Sequence, residues 1–196
     1  LVPIGALERF DKYEIITDYC IAANKKVESV LLLSESPNNK IDEVLLDYQS
    51  RTSVKLIKVI NSHYWKFNLK FIDASKGFEN SISGKTAAVI IGDRALALRN
   101  KYPFVYDLAE EWYKFTGLAA VFAVWVAKRG INKDFITKFN DILADGNKNK
   151  AKIAKRFSHL YDGFELEDYL VNCIDFCFDH NKRKSMDKFL MLSKNV

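Results

Sequence analysis

The sequence is sparing with the residues that break or staple a chain. Three prolines and eight glycines in 196 residues exclude a collagenous or low-complexity polymer, which needs one or both in quantity. Three cysteines are too few for a closed disulfide framework, which points to a reducing compartment and a cytoplasmic location. Apolar runs such as residues 119–127 are far short of the ~20 residues that span a bilayer, so no membrane partner is expected. The opening residues, LVPIGALERF, carry no signal-peptide pattern. Glycine-rich phosphate loops and the G-x-S-x-G nucleophile elbow are both missing, so no nucleotide and no serine-hydrolase triad is called for.

What is present suits a globular core. Fourteen Phe, nine Tyr and three Trp within 48% apolar residues exclude intrinsic disorder. The net charge of +5 is spread along the chain. Its densest run (Lys148, Lys150, Lys152, Lys155, Arg156) reads as the solvated face of a helix. Nucleic acid is therefore not an expected partner, whereas a small anionic substrate suits the same charge.

Short apolar runs of strand length fall at residues 14–16, 29–33, 43–46, 70–72, 87–91 and 121–126. Those at 29–33 and 87–91 are apolar on both faces, the pattern of parallel strands covered on both sides. Helical spacing lies between them, at 52–64 and 107–115. After Val126 the pattern is mostly helical, at 133–144, 148–161 and 181–192, interrupted by 171–178, which alternates like an edge strand. The prediction is an α/β fold with a helical C-terminal third. Leu1 to Ile4 reads as a strand and 6–10 as a short helix. A strand with no predecessor leads us to expect further sequence before Leu1.

Three places could carry chemistry. At Ser50-Arg51-Thr52-Ser53, Ser50 or Thr52 is a natural N-cap for the helix that follows. The same helix start could hold an anion, with Arg51 as a carboxylate fork. At Gly92-Asp93 a buried strand ends where a sheet's carboxyl edge faces a ligand crevice, although Asp93 as a cap for the next helix explains the pattern equally well. At Phe115-Thr116-Gly117 a helix stops on a glycine C-cap, and Phe122 and Trp125 beyond it read as core. Cys173, Cys177 and His180 would share a face only if helical. Their segment reads as extended, so no metal site is expected.

Several stretches taken together resemble a known family. They are Lys26-Val27-Glu28-Ser29-Val30-Leu31-Leu32, Ser50-Arg51-Thr52-Ser53-Val54, Ile91-Gly92-Asp93-Arg94-Ala95-Leu96, and the block from Tyr106-Asp107-Leu108 through Trp112 and Thr116-Gly117-Leu118 to Trp125. In order and separation they are similar to the menaquinone-biosynthesis family that includes chorismate dehydratase of the futalosine pathway. The resemblance implies a two-lobe fold like the type II periplasmic binding proteins, with two crossover strands (29–33 and 121–126). Lobe one would be residues 1–36 plus 119–196, and lobe two 37–118. It also implies a cofactor-free, metal-free hydro-lyase that converts the dicarboxylate chorismate to 3-[(1-carboxyvinyl)oxy]benzoate. Ser29 matches a family serine implicated in catalysis, and Arg51, Thr52, Ser53, Gly92 and Asp93 would bind substrate. Two features depart from the family. An R-I-G-x-I-x-Y-L-N type opening segment, whose Asn is implicated in catalysis, is not found, and Ala119-Ala120 replaces the usual Pro-Phe. Two other readings share the fold: an anion-binding protein without chemistry, and the sister 1,4-dihydroxy-6-naphthoate synthase. The latter is expected to carry a catalytic His in lobe two, where this chain has only His63.

Overall fold

A computed structural model describes residues 1–161 and 163–196. In chain order, strand β1 (Val2–Pro3) leads through a 3₁₀ turn, Ile4–Arg9, to β2 (Tyr13–Ala23). There follow β3 (Val30–Ser34), β4 (Glu43–Leu46), helix α1 (Arg51–Ile60), β5 (Lys70–Asp73), β6 (Thr86–Ile91), α2 (Asp93–Leu98), β7 (Phe104–Asp107), α3 (Leu108–Thr116) and β8 (Ala120–Lys128). The last third is α4 (Lys133–Lys148), α5 (Lys150–Phe157), the single turn α6 (Leu166–Asp168) continuing into a π-helical turn Tyr169–Cys173, β9 (Asp175–Cys177) and α7 (His180–Leu192).

Two sheets organise these elements. The first has the order β1-β8-β2-β9, and the second β5-β4-β6-β3-β7. Every pairing in the first sheet is antiparallel. In the second, β4 runs parallel to β5 and β6, while β3 is antiparallel to both its neighbours, β6 and β7. That corrects the expectation that β3 belongs to a parallel set. The reason lies in burial. Val30 and Leu32 face one hydrophobic cluster, and Leu31 and Leu33 face another on the opposite side. A strand covered on both faces reads as continuously apolar whatever its direction.

Each expected crossover strand is the one the chain enters on passing from one sheet to the other. β3 lies wholly in the second sheet and β8 wholly in the first, so the sheets are joined by residues 24–29 and by α3 with the turn after it. One buried carboxylate fastens both joints. Asp107 caps α3 by accepting from the N–H groups of Ala109 and Glu110, and its other oxygen accepts from Val27 and Glu28 at 2.8 and 2.7 Å. Burial pushes this carboxyl above the usual aspartate range, against the pull of those four amides.

The larger cluster belongs to both sheets. It takes Cys20, Ala22 and Val124 from the first sheet and Leu32, Val44 and Val89 from the second, with Leu56, Ile57, Val59 and Ile60 of α1, Trp112 of α3 and Phe189 of α7 between them. Trp112 is 1% exposed, and its indole N–H donates to Ser185 Oγ at 3.0 Å. Ser185 in turn donates to the Ala119 carbonyl, which ties α3, α7 and the entry to β8. The glycine stop at the end of α3 is as the sequence predicts, with Gly117 left-handed at φ 71°. The segment 171–178 differs from its expected strand: its first part is the π-helical turn, and only Asp175–Cys177 is extended, at the edge of the first sheet.

Candidate functional site

Ser29 sits just before β3 and is held at both ends. Its carbonyl accepts the Gly92 N–H at 2.8 Å. Its hydroxyl lies 2.7 Å from the phenol of Tyr169, with either group able to donate. Only 5% of Ser29 is exposed. Gly92 terminates β6 with φ 64° and ψ −146°, a backbone conformation that favours glycine. It occupies the N-cap position of α2, so Asp93 is the first helical residue rather than the cap, with its side chain exposed. The turn has to bend this way to bring the Gly92 amide back onto Ser29.

Tyr169 and the Gly92–Asp93 turn face each other across a cavity of about 290 Å³, whose other walls include Leu96, Ile153, Phe157 and Phe164. Behind the turn lies a second, more open recess of about 550 Å³ bordered by Tyr48, Gln49, Lys76 and Arg94. Burial raises the Tyr169 phenol above its ordinary range, and the bond to Ser29 opposes that only in part. The phenol, protonated at neutral pH like any tyrosine, thus keeps its proton to higher pH than an exposed one. Between cavity and recess the structure offers one exposed carboxylate, two paired hydroxyls and a strand-end backbone turn, an arrangement fitted to orienting a small polar ring compound and moving a proton at it.

The recess is braced by a group that sequence reasoning missed. Asp47 is 1% exposed, and it accepts from the Gln49 and Ile91 amides at 2.9 and 3.3 Å and from Arg94 at 2.6 Å. Arg94 also pairs with Glu79, and its guanidinium lies 5.6 Å from the ring centres of both Tyr48 and Phe78. An aspartate at the end of an apolar strand is the one sequence signal this leaves. Tyr169 left none, because it stands 140 residues from Ser29 and beside a segment read as a strand.

The other predicted residues form a second turn at the start of α1. Ser50 is its N-cap, accepting the Ser53 amide at 3.1 Å and donating to Ser53 Oγ at 2.7 Å. The Thr52 hydroxyl accepts the Gly5 N–H at 3.1 Å and donates to the Phe122 carbonyl at 2.9 Å. Thr52 and Ser53 are 3% and 2% exposed. Gly5 fits here because a Cβ would stand 2.7 Å from the Arg51 carbonyl oxygen. Arg51 itself is exposed. The structure thus places Gly92 and Asp93 on one cavity, with Ser29 behind its wall and bonded to Gly92 and Tyr169, and keeps Arg51, Thr52 and Ser53 together at this helix start, where the first amides of an α-helix lack intrahelical partners.

Trp125 packs edge-on against Phe139 at 5.0 Å and borders an apolar cavity of about 450 Å³ with Tyr19 and Phe176. Cys173 ends the π-helical turn, Cys177 lies on β9 and His180 opens α7. Among the described residues, no group of three or more His, Cys, Asp or Glu is placed to hold a metal ion, and no helix is long and apolar enough to cross a membrane.

Known structures share the architecture. The crystal structure of protein AF1704 from Archaeoglobus fulgidus superposes with a TM-score of 0.68 at 12% identity, covering 99% of this chain and 77% of that one. An ABC transporter structure from Parabacteroides distasonis gives a TM-score of 0.60 at 16% identity, covering 100% and 73%. The fold is that of the type II periplasmic binding proteins. The family model described as menaquinone biosynthesis matches residues 2–195, and on that match the chain belongs to the menaquinone biosynthesis family.

Proposed function

We propose that the protein is a chorismate dehydratase, a cofactor-independent hydro-lyase of menaquinone biosynthesis. The observation that carries this reading is the Ser29–Tyr169 hydroxyl pair, set 2.7 Å apart, whose tyrosine lines the cavity that the Gly92–Asp93 turn borders. The reaction removes the proton on C3 and breaks the C4–O bond. The departing hydroxide takes up a proton and leaves as water, and the ring becomes aromatic to give 3-[(1-carboxyvinyl)oxy]benzoate. Aromatisation supplies the driving force, so the protein's task is to orient a dianion and manage one proton. The Ser29 hydroxyl is assigned to the departing oxygen, and the Gly92–Asp93 turn to the ring's edge. The α1 start, with the Arg51 side chain and the leading amides, is assigned to a substrate carboxylate.

Incubation with chorismate, followed by chromatography, tests the reading. The protein should accumulate the carboxyvinyloxybenzoate without added metal or nucleotide, and Ser29→Ala should slow this about 100-fold or more. Chorismate that binds but remains unchanged would overturn the lyase reading in favour of an anion-binding protein of the same fold.

A further inference from the structure

Ser29 is bonded to two residues of the cavity wall, Gly92 and Tyr169, and the tyrosine's chemistry differs from its own. The main chain of Ser29 is fixed by the Gly92 amide, so the one freedom left to its side chain is rotation about Cα–Cβ. Tyr169 removes that freedom through the 2.7 Å contact. The tyrosine is itself restrained. Its ring packs against Phe164 at 5.3 Å, Phe164 lies 5.5 Å under the Arg99 guanidinium, and the Tyr169 carbonyl accepts the Ile174 amide across the π-helical turn at 3.0 Å. Each hydroxyl has one proton, so in a pair one group donates and the other keeps its proton for a third partner. The phenol is the more acidic of the two and therefore the better donor, and like any tyrosine it bears its proton at neutral pH. With Tyr169, which lines the cavity, donating to Ser29 Oγ, the serine proton is the one left for a third partner.

Resting on the dehydratase reading, we propose that Tyr169 is a positioning residue: it holds the Ser29 hydroxyl so that the serine's own proton is presented to the oxygen leaving the substrate. Tyr169 acts through Ser29, and removing its hydroxyl leaves a serine free to rotate away.

Steady-state kinetics with chorismate on the full chain, Tyr169→Phe, Ser29→Ala and the double variant test this, beside thermal melts. Phenylalanine keeps the ring that packs on Phe164. For Tyr169→Phe, kcat should fall about tenfold or more, with KM changed by less than about twofold and the melting midpoint held. The double variant should be no slower than Ser29→Ala, because both substitutions then remove one effect. An unchanged kcat in Tyr169→Phe, or losses that multiply in the double variant, would overturn the proposal. A parent protein that binds chorismate without converting it overturns the dehydratase reading instead. The pair is then read from dissociation constants measured by calorimetry. Tyr169→Phe should bind more weakly than the parent, and Ser29→Ala should bind like the double variant. Equal affinity of Tyr169→Phe and parent would overturn the positioning role too, and a parent that neither converts nor binds chorismate overturns both.

Discussion

Two neighbours at the start of α1 have opposite characters. The Thr52 side chain is sealed between Gly5 and Phe122, giving and receiving one hydrogen bond in a site that is 3% exposed. Thr52→Val keeps the shape but strands a buried amide and a buried carbonyl, so it should cost about 1–3 kcal/mol in urea unfolding. Arg51, one residue earlier, is exposed. Arg51→Ala should change stability by no more than about 0.5 kcal/mol. Its affinity for chorismate, measured by calorimetry, should fall by about 1.5–3 kcal/mol, the worth of a charge-assisted bond to a carboxylate. An unchanged affinity with a lowered melting temperature would make Arg51 a structural residue. The cap at Ser50 was legible because a hydroxyl ahead of an apolar helix has few other uses. The bond from Thr52 to Gly5 was not, since the two stand 47 residues apart and nothing in either neighbourhood refers to the other.

At the scale of elements, α7 is attached through a buried cation. Lys182 is 3% exposed, with Nζ 2.7 Å from Asp175 of β9 and 2.9 Å from Asp179, the helix's own N-cap. Burial opposes the charge on all three groups, yet their pairing prevails: the ammonium is raised above the usual lysine range, and both carboxyls are held below theirs. The carboxylates therefore support the fold above the ordinary aspartate range, and that support is lost as pH falls through their lowered values. The lysine's share persists until pH rises through its raised value. Lys182→Met leaves two acids without their cation. Its melting temperature should lie well below the parent's at pH 7, and the gap should narrow as pH falls through the parent carboxyls' lowered values, below which they are protonated in both proteins. A gap that stays constant with pH would mean the loss is one of packing. Elements were legible where periodicity is local, as in α1, α3, β4 and β6. Strand β7 escaped because four residues, Phe104–Asp107, run straight into a helix that masks them. The direction of β3 escaped because antiparallel and parallel strands buried on both faces use the same residues.

Across the whole molecule, the two sheets share one core, and Asp107 locks both connections between them. Domains that meet through separate cores unfold separately, whereas this arrangement makes loss of either sheet expose the other's interior. Far-ultraviolet circular dichroism and tryptophan fluorescence should therefore report coincident urea transitions, since Trp112 lies in the shared cluster and Trp125 on β8. Two resolved transitions would show that the sheets are energetically separate.

The order in which the strands find partners has a consequence for synthesis. Every strand of the second sheet lies between residues 30 and 107, so that sheet can close while the chain is still being made. β2 is complete at Ala23, but its partners are β8, which begins at Ala120, and β9, which begins at Asp175. At ribosomal rates, the roughly 100 residues between them take on the order of 5–20 s. Through that interval an eleven-residue strand stands with both edges open, which makes the nascent chain a client for holding chaperones until β8 emerges.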